Sequence, residues 1–126
     1  MAEHNITGRL GEDMACDILA SRGYAIRDRN WRAGRLELDI VASKGDTLVF
    51  AEVKTRSEDY GEDPIEAIDR RKIMRIIRAA EAYVSAHGLE RFDIRFDVFG
   101  VTGNSPCDFK VEHIEDAFDV PLKTYR

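Results

Sequence analysis

Hydrophobic and polar positions divide the chain into a helix, three strands, a long helix and two further strands. From Gly8 to Arg22 the apolar positions Leu10, Gly11, Met14, Ala15, Ile18 and Leu19 recur at helical spacing, and Gly23 supplies the left-handed residue that ends such a helix. Asn5 or Thr7 can cap its start, which leaves residues 1–7 loose. Glu12 lies in line with Ala15, Cys16 and Leu19 and so borders the buried stripe; taken alone, it reads as a first-turn acid complementing the helix dipole. Tyr24 to Trp31 is polar at every second position, the pattern of a strand near a sheet edge.

Leu36 to Ala42 forms the next strand, with Leu36, Leu38 and Ile40 on one face and Glu37, Asp39 and Val41 on the other. After Ser43-Lys44-Gly45-Asp46, the strand Thr47 to Arg56 places Leu48, Phe50, Glu52 and Lys54 on one face and Val49, Ala51 and Val53 on the other. Both faces begin apolar, as in a central strand covered on both sides. If Gly45-Asp46 is a two-residue hairpin loop, Asp39 stands across from Glu52 and Glu37 across from Lys54.

That register sets the chemical question. Two carboxylates directly opposite each other on one sheet face destabilise it. At ~4 Å and an effective dielectric near 20, their repulsion is about 4 kcal/mol. A divalent cation between them would remove it, because hard cations such as Mg²⁺ take carboxylate oxygens. With Glu12, Asp39 and Glu52 negative and Lys54 positive, one divalent ion brings the cluster to zero. The competing reading is a plain Glu37 to Lys54 cross-strand pair.

Beyond a polar loop, Asp63-Pro64-Ile65-Glu66 has the marks of a helix start. Its buried stripe runs through Ile65, Ile68, Ile73, Ile76, Ile77, Ala80, Tyr83 and Val84, with an interruption expected near Asp69 and an end at Gly88. Arg71, Arg75 and Arg78 project together from another face, with Lys72 beside them. Arg91 to Val101 alternates as a strand, and the intervening helix implies parallel pairing with the central strand. Phe109 to Ile114 is a final strand, followed by an acidic tail from Glu115. The fold class is α/β: a central mixed sheet of about five strands flanked by helices, in the order αβββαβ and then a last strand. Residues 1–126 are expected to form one domain, with loose ends at about 1–6 and 117–126.

Composition narrows the setting. The net charge of −5 argues against a protein that coats nucleic acid indiscriminately, yet Arg22 to Arg35 holds five arginines and one acid, and Arg70 to Ala80 five basic residues and no acid. Arg27, Arg29, Arg32 and Arg35 fit phosphate contacts and edge-protecting charges equally well. No apolar run approaches the ~20 residues needed to span a membrane, and the first residues lack the regions of a signal peptide, so the expected location is the cytoplasm. Cys16 and Cys107 have no metal-ligand spacing and read as free thiols. His4, His87 and His113 have no partner at triad or ligand spacing, and their expected settings are a tail, a helix end and an edge strand. Trp31 and Tyr60 could stack on bases, although aromatics in such sheets are more often core.

An acid followed thirteen residues later by Glu-x-Lys at a strand end is the arrangement of metal-dependent phosphodiester hydrolysis. Gly8-x-x-Gly11-Glu12 with Ala15, Glu37-Leu38-Asp39, the strand Leu48 to Arg56, Pro64-x-Glu66-Ala67 and Lys72 with Arg75 together resemble the YraN-type family of uncharacterised bacterial proteins. That family resembles the PD-(D/E)xK restriction-endonuclease-like superfamily, in its archaeal Holliday-junction resolvase branch. The resemblance covers roughly residues 5 to 100. It implies that Asp39, Glu52 and Lys54 form the catalytic core and that Glu12 adds an acid, with Asp39, Glu52 and Glu12 holding Mg²⁺ or Mn²⁺. Leu38 stands where the superfamily motif has Pro, and Leu36 where Gly is expected. The leading expectation is a Mg²⁺-dependent endonuclease on DNA, branched or junction DNA included, with Arg56, Arg71, Lys72, Arg75 and Arg78 on the nucleic acid. A resolvase-like role would call for a homodimer. The alternatives are a noncatalytic nucleic-acid-binding module on the same fold and an interaction protein without a nucleic-acid role.

Overall fold

The structure, a computed structural model, describes residues 2–57 and 68–118, with side chains from residue 8 onward. In chain order these residues form α1 (Ala2–Ser21), β1 (Ala25–Ala33), β2 (Leu36–Lys44), β3 (Thr47–Arg56), α2 (Arg70–His87), β4 (Asp93–Thr102) and β5 (Lys110–Ile114), with a 3₁₀ turn at Pro106–Asp108. The strands make one sheet in the order β1-β2-β3-β4-β5. The β3–β4 pair is parallel and the other three pairs are antiparallel, so the sheet is mixed and the αβββαββ order is the expected one. No helix of the described residues is long and apolar enough to cross a membrane.

The helix ends follow from local chemistry. Gly23 at φ +92° lets α1 close with the Gly23 N–H on Ala20 O and the Tyr24 N–H on Leu19 O, the two bonds of a Schellman turn. At its other end α1 reaches Ala2, earlier than the expected start near Gly8, which places His4 in the first turn and not in a tail. Asp69 caps α2 by accepting from the Lys72 N–H, and Gly88 ends it in the left-handed conformation. The interruption expected near Asp69 is thus a helix start. The expected start at Asp63–Glu66 and the aromatic Tyr60 lie outside the described residues.

α1 covers one face of the sheet with Ala15, Cys16 and Leu19 against Ile40, Ala42, Val49, Ala51 and Phe99. α2 covers the other with Ile76, Ile77, Ala80 and Tyr83 against Val41, Leu48, Phe50 and Phe96. β3 is therefore covered on both sides, and each of its fully buried large side chains contributes ~1.5–3 kcal/mol. α1 lies close to β3: a Cβ at Gly11 would collide with Thr55 Oγ1, so glycine permits the approach that brings Glu12 near the sheet. Trp31 belongs to the core, edge-on to Tyr83 at 5.1 Å between ring centroids.

His113 lies on the edge strand expected for it, and the expected loose tail is corrected in part. His113 has a partner: its Nε2 lies 2.8 Å from Oδ2 of Asp97, which is fully buried. Arg22 donates to His113 Nδ1, and a guanidinium can only donate, so Nε2 carries the hydrogen that goes to Asp97. Arg95 adds two hydrogen bonds to Asp97, at 2.9 and 2.8 Å. The chain after β5 is likewise tied down. The Asp116 N–H donates to Asp97 Oδ1, the Ala117 N–H donates to Phe96 O, and Phe118 stacks on Phe96. Of the expected acidic tail, residues 115–118 belong to the folded structure and 119–126 lie outside the described residues.

Candidate functional site

The β2–β3 hairpin has the register expected from a two-residue loop, running from Lys44 opposite Thr47 to Ile40 opposite Ala51. Gly45 has φ +58° while Asp46 has no positive φ, which fits a type II′ turn. Past Ile40–Ala51 the next opposed residues are Asp39 and Glu52, and there the regular ladder stops. The Val53 N–H, which antiparallel alternation would give to the Leu38 carbonyl, instead donates to Asp39 Oδ2 at 2.9 Å.

An irregular residue stands beside this point on the neighbouring strand. Between Arg29 opposite Ile40 and Trp31 opposite Leu38 sits Asn30, at φ +53°, in the left-handed region that Asn tolerates better than most residues. The face alternation breaks with it. Leu36 and Leu38 pack with the α2 side whereas Ile40 and Ala42 pack with the α1 side, which corrects the expected grouping of Leu36, Leu38 and Ile40 on one face. The Asn30 side chain hydrogen-bonds Glu12, so the same irregular position ties α1 to the site.

Asp39 and Glu52 are in contact, sharing a side-chain hydrogen bond, and Glu52 is only 5% exposed. Burial is the largest cause holding both carboxyls above their ordinary values. Glu52 is pushed up to about 8, by burial first and then by the charge of Asp39, against the opposing pull of Lys72 and Lys54. A hydrogen bond between two carboxyls needs one proton, and that proton belongs to the pair. Glu12, its side chain 16% exposed, is also raised, by burial and then by Asp39; Asn30 and Arg29 oppose this.

The basic residues separate into two groups. Lys72 turns inward from the first turn of α2, with Nζ 3.3 Å from Glu52 Oε2. Arg71, Arg75 and Arg78 are exposed on α2. Grouping Lys72 with them is corrected: it lies in line with Ile76, Ala79 and Tyr83, all buried, and this was the available sequence signal. Glu37 pairs with Arg32 at 3.6 Å, not with Lys54 as in the plain cross-strand reading. Lys54 is half-buried and its charge acts on Glu52. Arg56 donates to Thr55 O at 3.2 Å. In the first basic run, Arg29 bonds Asp13 at 2.7 Å and Arg27 lies over the Phe92 ring.

Among the described residues no group of three His, Cys, Asp or Glu side chains is gathered as a complete ligand set. The protein thus offers two carboxylates in contact, with the charge of Asp39 acting on Glu12 from the sheet side. A Zn²⁺ site would need three or four protein ligands. Mg²⁺ is ordinarily held by one or two carboxylates and keeps several waters, so the donor set fits a hard cation.

Comparison with known proteins places these residues in a wider group. The model of Uncharacterised protein family UPF0102 matches residues 11–101, which include Glu12, Asp39, Glu52, Lys54 and Lys72. A UPF0102 protein of Bacteroides thetaiotaomicron is 48% identical over 122 residues, covering 97% of this chain and 99% of the relative. UPF0102 proteins of Flavobacterium psychrophilum and Porphyromonas gingivalis are 42% and 44% identical, covering 94% and 98% of this chain and 98% and 91% of the relatives.

Proposed function

We propose a function for this chain, which belongs to Uncharacterised protein family UPF0102, from the chemistry of its paired carboxylates: it is a Mg²⁺-dependent endonuclease acting on phosphodiester bonds of DNA, branched or junction DNA included. The observation that carries the reading is the contact between Asp39 and the buried Glu52 where the β2–β3 ladder stops. Burial raises both acids, the charge of Asp39 raises Glu52 further, and like charges opposed on a sheet destabilise it, a cost that a bound cation removes. The family assignment supports the family expected from the sequence; the relation to restriction-endonuclease-like enzymes belongs to this proposal.

Asp39 and Glu52 would hold the cation, with Glu12 placed to add charge from α1. When bound, Mg²⁺ supplies Lewis acidity toward a phosphate oxygen. Lys54, on the same strand as Glu52, is placed to orient the attacking water and to offset charge developing on the phosphate. The exposed Arg71, Arg75 and Arg78 lie on the helix that brings Lys72 to Glu52, so a backbone bound along them passes beside the carboxylates. Cutting both strands of a junction would call for a homodimer.

The test is incubation of the purified protein with Mg²⁺ or Mn²⁺ and linear, flapped and four-way DNAs. Cleavage abolished by Glu52→Ala is the expected result, and intact DNA throughout counts against the enzyme. The exposed arginine face also suits a noncatalytic nucleic-acid-binding module. That reading predicts salt-dependent DNA binding, unchanged in Asp39→Asn without metal.

A further inference from the structure

We infer that Lys72 is a built-in counter-cation of the carboxylate pair, one that competes with a divalent ion for Glu52 and so makes metal binding depend on an arriving phosphate. The inference rests on the metal-site reading above and concerns how that site is controlled. Three observations carry it. The Lys72 ammonium lies 3.3 Å from Glu52 Oε2, with 38% of its own side chain and 6% of the Glu52 side chain exposed, so the carboxylate is sheltered from water while the lysine keeps access to it. Its backbone is fixed, because the Lys72 N–H donates to the N-cap Asp69 Oδ1 at 2.9 Å, which anchors the stem at the start of α2. Finally, Lys72 comes from a different element than Lys54, so Glu52 feels two cations, one from α2 and one from its own strand.

Charge counting gives the consequence. Asp39 and Glu52 ionised carry −2, and Lys72 reduces this to −1. A divalent ion added to that set leaves it at +1, a state that an anionic phosphodiester completes. The ammonium released from Glu52 is then a positioned donor for the phosphate oxygen. Metal alone is held weakly, and metal with nucleic-acid backbone is held well. Without a metal, Lys72 keeps the buried acids from standing uncompensated.

The test is calorimetric titration of Mg²⁺, and separately Mn²⁺, into the full-length protein and the Lys72→Met and Lys72→Gln variants without DNA, with thermal unfolding as a second readout. Removing a unit positive charge that lies against a ligand of the divalent ion should tighten its binding by about tenfold or more. The metal-induced rise in unfolding temperature should be larger in both variants than in the unsubstituted protein. Equal or weaker metal binding in the variants, while the unsubstituted protein binds and Glu52→Gln does not, overturns the inference and leaves the metal site standing. No binding by any of the proteins overturns both. If the variants unfold without metal, Mg²⁺ should restore them, and failure of that rescue also overturns the counter-cation role.

Discussion

The backbone N–H of Val53 donates to Asp39 Oδ2 at 2.9 Å, so a side chain stands where the β2–β3 ladder would otherwise continue. Asp39 thus has a structural task separable from its charge. Asp39→Asn keeps an acceptor for Val53 and removes one of two repelling acids, and without divalent ions it should unfold at or above the wild-type temperature. Asp39→Ala leaves the N–H without that acceptor and should cost about 1–2 kcal/mol. Thermal unfolding by circular dichroism distinguishes them; equal damage from both substitutions would show that the charge itself holds this part of the sheet.

Glu52 gives stability a pH dependence of unusual sign. Its folded-state pKa is raised from 4.5 to about 8, by burial and then by Asp39, so the folded protein holds a proton that the unfolded chain releases. The contribution is fully present below the unfolded value and is lost as pH rises through about 8. Urea unfolding without divalent ions should therefore show stability falling from about pH 5 to pH 8.5, by an amount on the order of 1–3 kcal/mol. Glu52→Gln should flatten that decline and exceed wild type at the alkaline end. Mg²⁺ should recover the loss in wild type only, and a profile identical in the two proteins would place the proton elsewhere.

How far the sequence reveals this arrangement depends on which contacts are local. Gly45-Asp46 makes the hairpin register readable, because a two-residue loop with Gly first leaves one pairing. The face reversal at Asp39 has no local signal in β2 and coincides with the left-handed Asn30 on another strand. Charge groups Lys72 with Arg71 and Arg75, although its helical position aligns it with buried Ile76 and Tyr83. His113 and Asp97 meet only through the β4–β5 pairing, with Val98 opposite Ile114, and the turn from Gly103 to Asp108 between those strands is too long to fix that register.

The Asp97 network should control acid stability independently of the site. Burial alone would raise this carboxyl, but hydrogen bonds from Arg95, His113 and the Asp116 N–H outweigh it and hold Asp97 below its ordinary 3.8. A depressed carboxylate contributes stability above its unfolded value and loses it as pH falls through its folded one, here below about pH 4. Asp97→Asn removes the charge facing Arg95, whose side chain is 21% exposed, and should cost about 2–4 kcal/mol at pH 7. Acid unfolding should show the gap between wild type and variant narrowing below pH 4; a constant gap would assign the acid response to other carboxylates.

Arg71, Arg75 and Arg78 separate binding from chemistry. They are exposed along α2, spaced four and three residues apart on one helix face. Each phosphate contact they make contributes about 0.9 to the slope of log affinity against log salt on duplex DNA. Replacing all three with Ala should weaken DNA binding at ~100 mM salt and reduce that slope by up to about 3, while thermal unfolding and metal binding stay near wild type. The arginines lie outside both cores, so a loss of binding with an unchanged unfolding curve cannot be ascribed to damage to the fold. An unchanged salt slope would move the nucleic-acid surface away from α2, whether or not the carboxylate pair binds metal.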